Sequence, residues 1–212
     1  MVPPEIENYA EEHTSPESPL LSKLNRETHL SQVYPRMLSG HIEGTFLRMI
    51  CNIQKPRRVL EIGTFTGYSA IFMAMGLPEN GILHTIEVNP EQEEIITRYI
   101  HEAGLAEKIV LHIGDAMEII PSLNEKWDLV FLDADKPNYL QYYNILFERL
   151  KPGGILLADN ALWDGKVLKV KERMDADTTG IAEFNDFIQN DERVENVLLP
   201  VRDGIMVVRK KA

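Results

Sequence analysis

Two short stretches of this chain end apolar runs with oxygen-bearing side chains. "WDLVFLDADK" closes on Asp133, Asp135 and Lys136, and "GGILLADNALW" closes on Asp159 and Asn160. Each stretch alone is an ordinary solvated turn. Two anionic tips side by side, however, repel one another unless a cation lies between them. Two carboxylates and one amide carbonyl, with no His or Cys among them, form an all-oxygen set. Such a set suits Mg²⁺, Mn²⁺ or Ca²⁺ rather than zinc. Lys136 stands three residues after Asp133 as a proton-carrying group, although a lone lysine there would be a solvated turn residue. Trp163, three residues after Asn160, is either an apolar wall for an aromatic ring or a loop anchor.

A second set lies upstream. "LEIGTFTGYS" places Glu61 before Gly63 and Gly67 in an E-x-G-x-x-x-G pattern. Glycines allow a sharp turn and a close ligand approach. Glu87 follows Gly67 by 20 residues. An acidic residue at that distance accepts hydrogen bonds from ribose hydroxyls, which points to an adenosine-containing cofactor. A dinucleotide site would show a third glycine, and a carboxylate beside a pyrophosphate is repulsive. Glu61 beside an ammonium or sulfonium is attractive instead, which favours S-adenosylmethionine over NAD. Asp115, in "HIGDAM", either accepts from an adenine amino group or caps a helix, and both readings stay open.

These residues need elements to hold them at one edge. Residues 1–54 carry apolar residues at helical spacing and are expected to form a helical extension on a core domain of residues 55–212, in a single domain overall. After "QKPRR" short strand patterns alternate with helical ones: 58–63, 81–88, 108–114, 127–133 and 153–159 as strands. Helices are expected at 67–77, from Pro90 to Ala103, over "AMEIIPSL", along a stripe of Tyr139, Tyr143, Leu146 and Leu150, and over 182–188. Asn89 is the expected N-cap of the second of these, with Gln92 completing a capping box. "VENVLLPV" and "GIMVVRK" form a closing antiparallel pair. The polar stretch "WDGKVLKVKERMDADTTG" has no clear stripe and suits a lid. The expected fold is α/β: a Rossmann-like, doubly wound, mostly parallel sheet whose ligands bind beyond the carboxyl ends of the strands.

Composition narrows the partners. The net charge of −11 gives no general attraction to phosphate backbones or anionic lipid. No secretory signal opens the chain and no apolar run approaches the ~20 residues that span a bilayer, so a cytoplasmic protein is expected. The single Cys51 has no internal disulfide partner and reads as a small buried hydrophobe.

Taken together, "VLEIGTFTGYSA", "TIEVNPE", "GDAMEIIP", "VFLDADKPNY", "LKPGGILLADNALWDGKV" and "LPVRDGIMVVRK" resemble the metal-dependent class I O-methyltransferases of the catechol and caffeoyl-CoA type. The likeness covers about residues 57–210 in family order, and the pairing of "DADK" with "DNALW" is its specific part. It implies a seven-stranded sheet with one reversed strand. It implies that Asp133, Asp159 and Asn160 bind the divalent ion, and that Glu61, Gly63, Ser69, Glu87, Asp115 and Ala116 surround S-adenosylmethionine, with Glu87 on the ribose. Asp133 would also touch the cofactor's methionine end. Lys136 matches the family's catalytic lysine, and Met37 a methionine near the methyl group. The implied reaction is methylation of a vicinal dihydroxy phenol by a homodimer. Methylation of a hydroxylated uridine in tRNA and a non-catalytic cofactor-binding module are the rival readings. The acidic charge counts against the first, and the intact Asp133, Lys136, Asp159 and Asn160 set against the second.

Overall fold

The computed structural model describes residues 3–212, with the backbone only at position 171. It comprises two compact units, residues 3–116 and 117–212.

The first unit opens with helices α1 (Pro4–Glu12), α2 (Pro19–Ser31) and α3 (His41–Gln54), with a 3₁₀ turn at Pro35–Met37 between the last two. Ser18 caps α2 by accepting from the Leu21 amide, and Pro19 fills the first turn, where no N–H is needed. Three parallel strands follow: β1 (Arg58–Ile62), β2 (Ile82–Glu87) and β3 (Ile109–Ile113), in the order β3-β2-β1. Helix α4 (Tyr68–Met75) is almost wholly buried, whereas α5 (Glu93–Glu102) buries Ile95, Ile96, Tyr99 and Ile100; Ala103, expected from the sequence to complete that stripe, is the half-buried C-cap. The start of α5 differs from expectation. Pro90–Gln92 form a 3₁₀ turn first, and Asn89 caps the Glu91 amide. Gln92 closes no capping box; its amide donates to Gln32 after α2 at 2.7 Å, a long-range partner that no local pattern could reveal.

Residues Ala116–Ser122 form α6, and the second unit continues with β4 (Trp127–Leu132), α7 (Tyr139–Phe147), β5 (Leu150–Ala158), α8 (Ala176–Asn190), β6 (Val194–Leu199) and β7 (Ile205–Lys210). Its strand order is β4-β5-β7-β6. Strands β4 and β5 are parallel, and β7 runs antiparallel to both β5 and β6. Leu150, expected on the helical stripe, instead opens β5, because α7 ends at Phe147. Helix α8 starts six residues earlier than its apolar pattern suggested, since Asp175 caps it by accepting from the Thr178 amide. The end of the supposed lid is therefore already helix.

Seven strands in a mixed, mostly parallel sheet with flanking helices make the Rossmann-like α/β class expected from the sequence. Fully buried aliphatic and aromatic side chains of the strands form the cores, including Val59, Leu60 and Leu83 in one unit and Leu129, Val130, Phe131, Leu156 and Leu157 in the other. Among the described residues, no helix is long and apolar enough to cross a membrane.

Candidate active site

In the first unit, the loop after β1 folds back on the end of β2. The Gly63 and Thr64 amides both donate to the Ile86 carbonyl, at 3.0 and 3.2 Å. Gly63 and Gly67 lie at φ +100° and +90°, a backbone region that L side chains rarely adopt. Phe65 shares the left-handed region at +51° and is held there by its amide, which donates to the Glu87 carboxylate at 2.7 Å. The other Glu87 oxygen accepts from the Asn89 amide at 2.8 Å. Burial pushes Glu87 above the usual carboxylate range, and these amides oppose that shift. The Thr64 and Val88 amides add to these, so main-chain N–H groups surround the carboxylate.

Glu61 is fully buried near the end of β1. Its two oxygens accept from Ser69 Oγ and Thr85 Oγ1, each at 2.5 Å. Thr85 in turn meets Thr64 Oγ1 at 2.5 Å. The glycine loop is also tied to α2, since Thr28 Oγ1 donates to Thr66 Oγ1 at 3.0 Å. Met37, in the 3₁₀ turn after α2, is largely exposed, Asp115 is exposed just beyond β3, and Ala116 is buried at the start of α6.

In the second unit, Asp133 follows β4 directly and Asp159 and Asn160 follow β5. The register sets Leu132 opposite Ala158, and the Asp159 amide donates to the Leu132 carbonyl at 3.0 Å. Lys136 sits in a 3₁₀ turn (Lys136–Asn138) started by Pro137. Its Nζ donates to Asp133 Oδ1 at 2.8 Å and to the Tyr139 hydroxyl at 2.7 Å. Asp135, the third charge of the opening motif, accepts instead from Asn138 Nδ2 at 2.5 Å and the Tyr142 hydroxyl at 2.8 Å, so it braces the turn. Gly180 of α8 lets that helix pack against the turn; a Cβ there would lie 2.4 Å from the Lys136 carbonyl oxygen.

The charges of this group are strongly linked. Burial pushes Asp159 up to about 7; the Asp133 charge adds to the shift, and Lys136 and the Asn160 amide oppose it. Burial would lower Lys136, but Asp133, Tyr139 and Asp159 outweigh it and hold the ammonium above its ordinary range.

The loop carrying Asn160 has an unusual backbone. Asn160, Trp163 and Asp164 all have positive φ, at 57°, 45° and 56°. Such residues cost about 1–3 kcal/mol each and need support from their surroundings. The turn between β6 and β7 supplies it. The Ala161 and Leu162 amides donate to Gly204 O and Asp203 O, each at 2.8 Å, and the Asp164 amide to Asp203 Oδ1 at 2.5 Å. A Cβ at Gly204 would meet Leu162 Cγ at 2.5 Å. From α8, Asn185 Nδ2 donates to Ala161 O at 2.7 Å. The first turn of the supposed lid is thus clamped. The Trp163 ring lies 5.8 Å from Lys136 Nζ and 5.2 Å from Lys166 Nζ.

The donor set fits a hard divalent ion. Among the described residues, no group of three or more His, Cys, Asp or Glu side chains could hold a metal. The set at issue has two carboxylates and an amide, a chemistry of oxygen alone. Lys136 is ion-paired with Asp133 and, with Arg202, opposes the rise of Asp159, which the nearby Asp133 charge still pushes up in part.

Sequence reasoning assigned no site role to Thr28, Thr66, Thr85, Tyr139, Gly180 or Asn185. Only Tyr139 carried a signal: a buried tyrosine, rather than phenylalanine, on a core stripe three residues from Lys136.

A Rossmann-like sheet with an acidic residue after a glycine loop frames a site for an adenosine-containing cofactor, and comparison with known proteins gives the class. The model of the O-methyltransferase family matches residues 11–211, so the chain belongs to that family and is an O-methyltransferase. It is 34% identical over 205 residues to caffeoyl-CoA O-methyltransferase 1 of Eucalyptus globulus, covering 92% of this chain and 83% of that protein. Among solved structures, the O-methyltransferase TomG of Streptomyces achromogenes, in complex with SAM, superposes with a TM-score of 0.91 at 28% identity, over 98% of this chain and 96% of that one. The O-methyltransferase of Bacillus cereus, in complex with SAH, gives 0.90 at 26% identity over 98% and 97%.

Proposed function

We propose that this O-methyltransferase transfers the methyl group of S-adenosylmethionine to one hydroxyl of a vicinal dihydroxy phenol, with a divalent cation, Mg²⁺ first, held by Asp133, Asp159 and Asn160. The observation that carries the reading is the crowding of two carboxylates around one lysine at neighbouring strand ends. The caffeoyl-CoA O-methyltransferases among its relatives support a phenolic acceptor.

On this reading Glu87 accepts the two ribose hydroxyls. The Gly63 turn and Glu61, with Ser69 beside it, receive the methionine end of the donor. Asp115 and Ala116 border the adenine, and Met37 lies towards the methyl group. A phenol ionises near ~10, so little phenolate exists at neutral pH. A divalent ion bound at the acidic set would supply the positive charge that eases this ionisation and fixes the direction of both hydroxyls. Lys136 takes the proton from the acceptor hydroxyl. Asp133, Tyr139 and Asp159 strengthen its hold on a proton. Trp163 forms one wall for the aromatic ring. Orientation of the two reactants contributes up to roughly 7–11 kcal/mol, at least as much as the base.

Exposed apolar side chains in the helical N-terminal region, Leu30, Val33, Tyr34, Met49 and Ile53, support a homodimer formed through that region, which light scattering after gel filtration tests. The reading as a whole is tested by methyl transfer to catechol after EDTA treatment. Activity should vanish and return with Mg²⁺. Full activity in EDTA would remove the metal from the account, and no transfer to any catechol, with or without Mg²⁺, would remove the acceptor class.

A further inference from the structure

Tyr139 packs as a core residue, fully buried, with its ring edge-on to Phe184 at 5.6 Å. Its hydroxyl nevertheless has three polar neighbours. Two are main-chain carbonyls: Leu132 O at 3.2 Å and Asp159 O at 3.1 Å. The third is Lys136 Nζ at 2.7 Å. A phenol carries one proton, and a carbonyl can only accept. An ammonium has no lone pair, so towards it the phenol oxygen accepts and the phenol's one proton is left for the carbonyls.

This fixes the lysine. Beyond its carbon, Nζ has three positions. One N–H is committed to Tyr139 and one to Asp133 Oδ1 at 2.8 Å. Among the described residues the third has no hydrogen-bond partner: it is an N–H in the ammonium and the lone pair in the amine. The same phenol also spans two residues at the acidic set, because Leu132 precedes Asp133 and the other carbonyl is that of Asp159 itself.

We propose that Tyr139 is a positioning residue for methyl transfer: its hydroxyl fixes the orientation of Lys136 and ties together the ends of β4 and β5, so that the uncommitted position of Nζ is the one offered to the acceptor hydroxyl. The inference rests on the reading above, in which Lys136 takes the acceptor's proton. In that step the O–H proton moves to the amine, which becomes an ammonium. An oxygen electron pair forms the bond to the methyl carbon, and the carbon–sulfur pair leaves with sulfur as a neutral thioether.

Tyr139→Phe keeps the ring and removes the oxygen. With S-adenosylmethionine, Mg²⁺ and an asymmetrically substituted catechol, kcat should fall about 10- to 100-fold while KM for the donor stays unchanged. The ratio of the two monomethyl products should also move towards equality, which a mere loss of stability would not cause. Unchanged kcat and product ratio overturn the inference. If the wild type methylates no catechol, the functional reading has failed, and the positioning role is then read without donor, acceptor or metal. The rate at which acetic anhydride labels Lys136, followed by peptide mapping, should rise several-fold in the variant; an unchanged rate overturns the role. If the variant does not fold, neutron diffraction from the wild type decides. A Tyr139 deuteron directed at the Leu132 or Asp159 carbonyl supports the arrangement, and one directed at Nζ overturns it.

Discussion

The chain handles buried carboxylates in two different ways. In the first unit, neutral donors meet the carboxylates: the Ser69 and Thr85 hydroxyls donate to Glu61, and main-chain amides, those of Phe65 and Asn89 among them, to Glu87. In the second, Asp133 is ion-paired with Lys136, and Asp159, despite Lys136 and Arg202, is pushed up to about 7. Neutral donors satisfy a carboxylate and leave its remaining lone pairs for hydroxyls or an ammonium. Two carboxylates around one ammonium retain negative charge, which suits a cation. On the proposed reading the same functional group, a carboxylate, would serve recognition in one place and charge concentration in the other, and its partners would make the difference.

The sharpest contrast should appear on removing the acidic pair. Asp133→Ala or Asp159→Ala is expected to cut metal-dependent turnover by about 10²- to 10³-fold or more, while circular dichroism still reports the native fold. Gly180→Ala should come next. The new Cβ would sit 2.4 Å from Lys136 O, so the turn must move, with a stability loss of about 1–3 kcal/mol and a lower kcat at unchanged donor affinity. On the other side, Glu87→Gln keeps the shape but weakens hydrogen bonds to a charged acceptor. Titration calorimetry should show roughly tenfold weaker binding of S-adenosylmethionine, with KM for the phenol unaffected.

A smaller effect separates the two kinds of carboxylate by pH. Asp159 rises in the fold from 3.8 to about 7. A raised folded value favours the protonated native state, so its contribution to stability is full below pH ~4 and is lost as pH rises through ~7. Metal-free protein should therefore gain thermal stability from this group between pH 8 and pH 5.5, and Asp159→Asn should flatten that slope. Added Mg²⁺ should stabilise most at the alkaline end, where both carboxylates are ionised. The least effect is expected at Cys51, fully buried and with its thiol pushed up to about 12 by burial. Cys51→Ala should leave kcat unchanged, cost about 1 kcal/mol in denaturant melts, and the native thiol should resist alkylation.

The sequence carried the strand tips well. Short apolar runs set the parallel strands, and their last residues, Glu61, Glu87, Asp133, Asp159 and Asn160, could be picked out because polar groups there break a strong pattern. What supports those tips was harder to see, since it comes from distant parts of the chain. Gln92 fits a capping box locally, but its partner is Gln32. Asp203 and Gly204 look like any hairpin turn, yet they clamp the strained backbone after Asn160. Tyr139 sits on an apolar stripe, and only the coordinates show where its oxygen goes. Helix α8 began earlier than its apolar pattern because a polar cap, Asp175, set its start.

The account stands on one cation shared by side chains that follow β4 and β5. Crystals of the protein grown with Mn²⁺ and measured at the manganese absorption edge test it directly. The expected result is a single strong anomalous peak bonded by oxygens of Asp133, Asp159 and Asn160. A map with no peak among those three side chains, from protein that methylates a catechol in the same Mn²⁺ buffer, would contradict it.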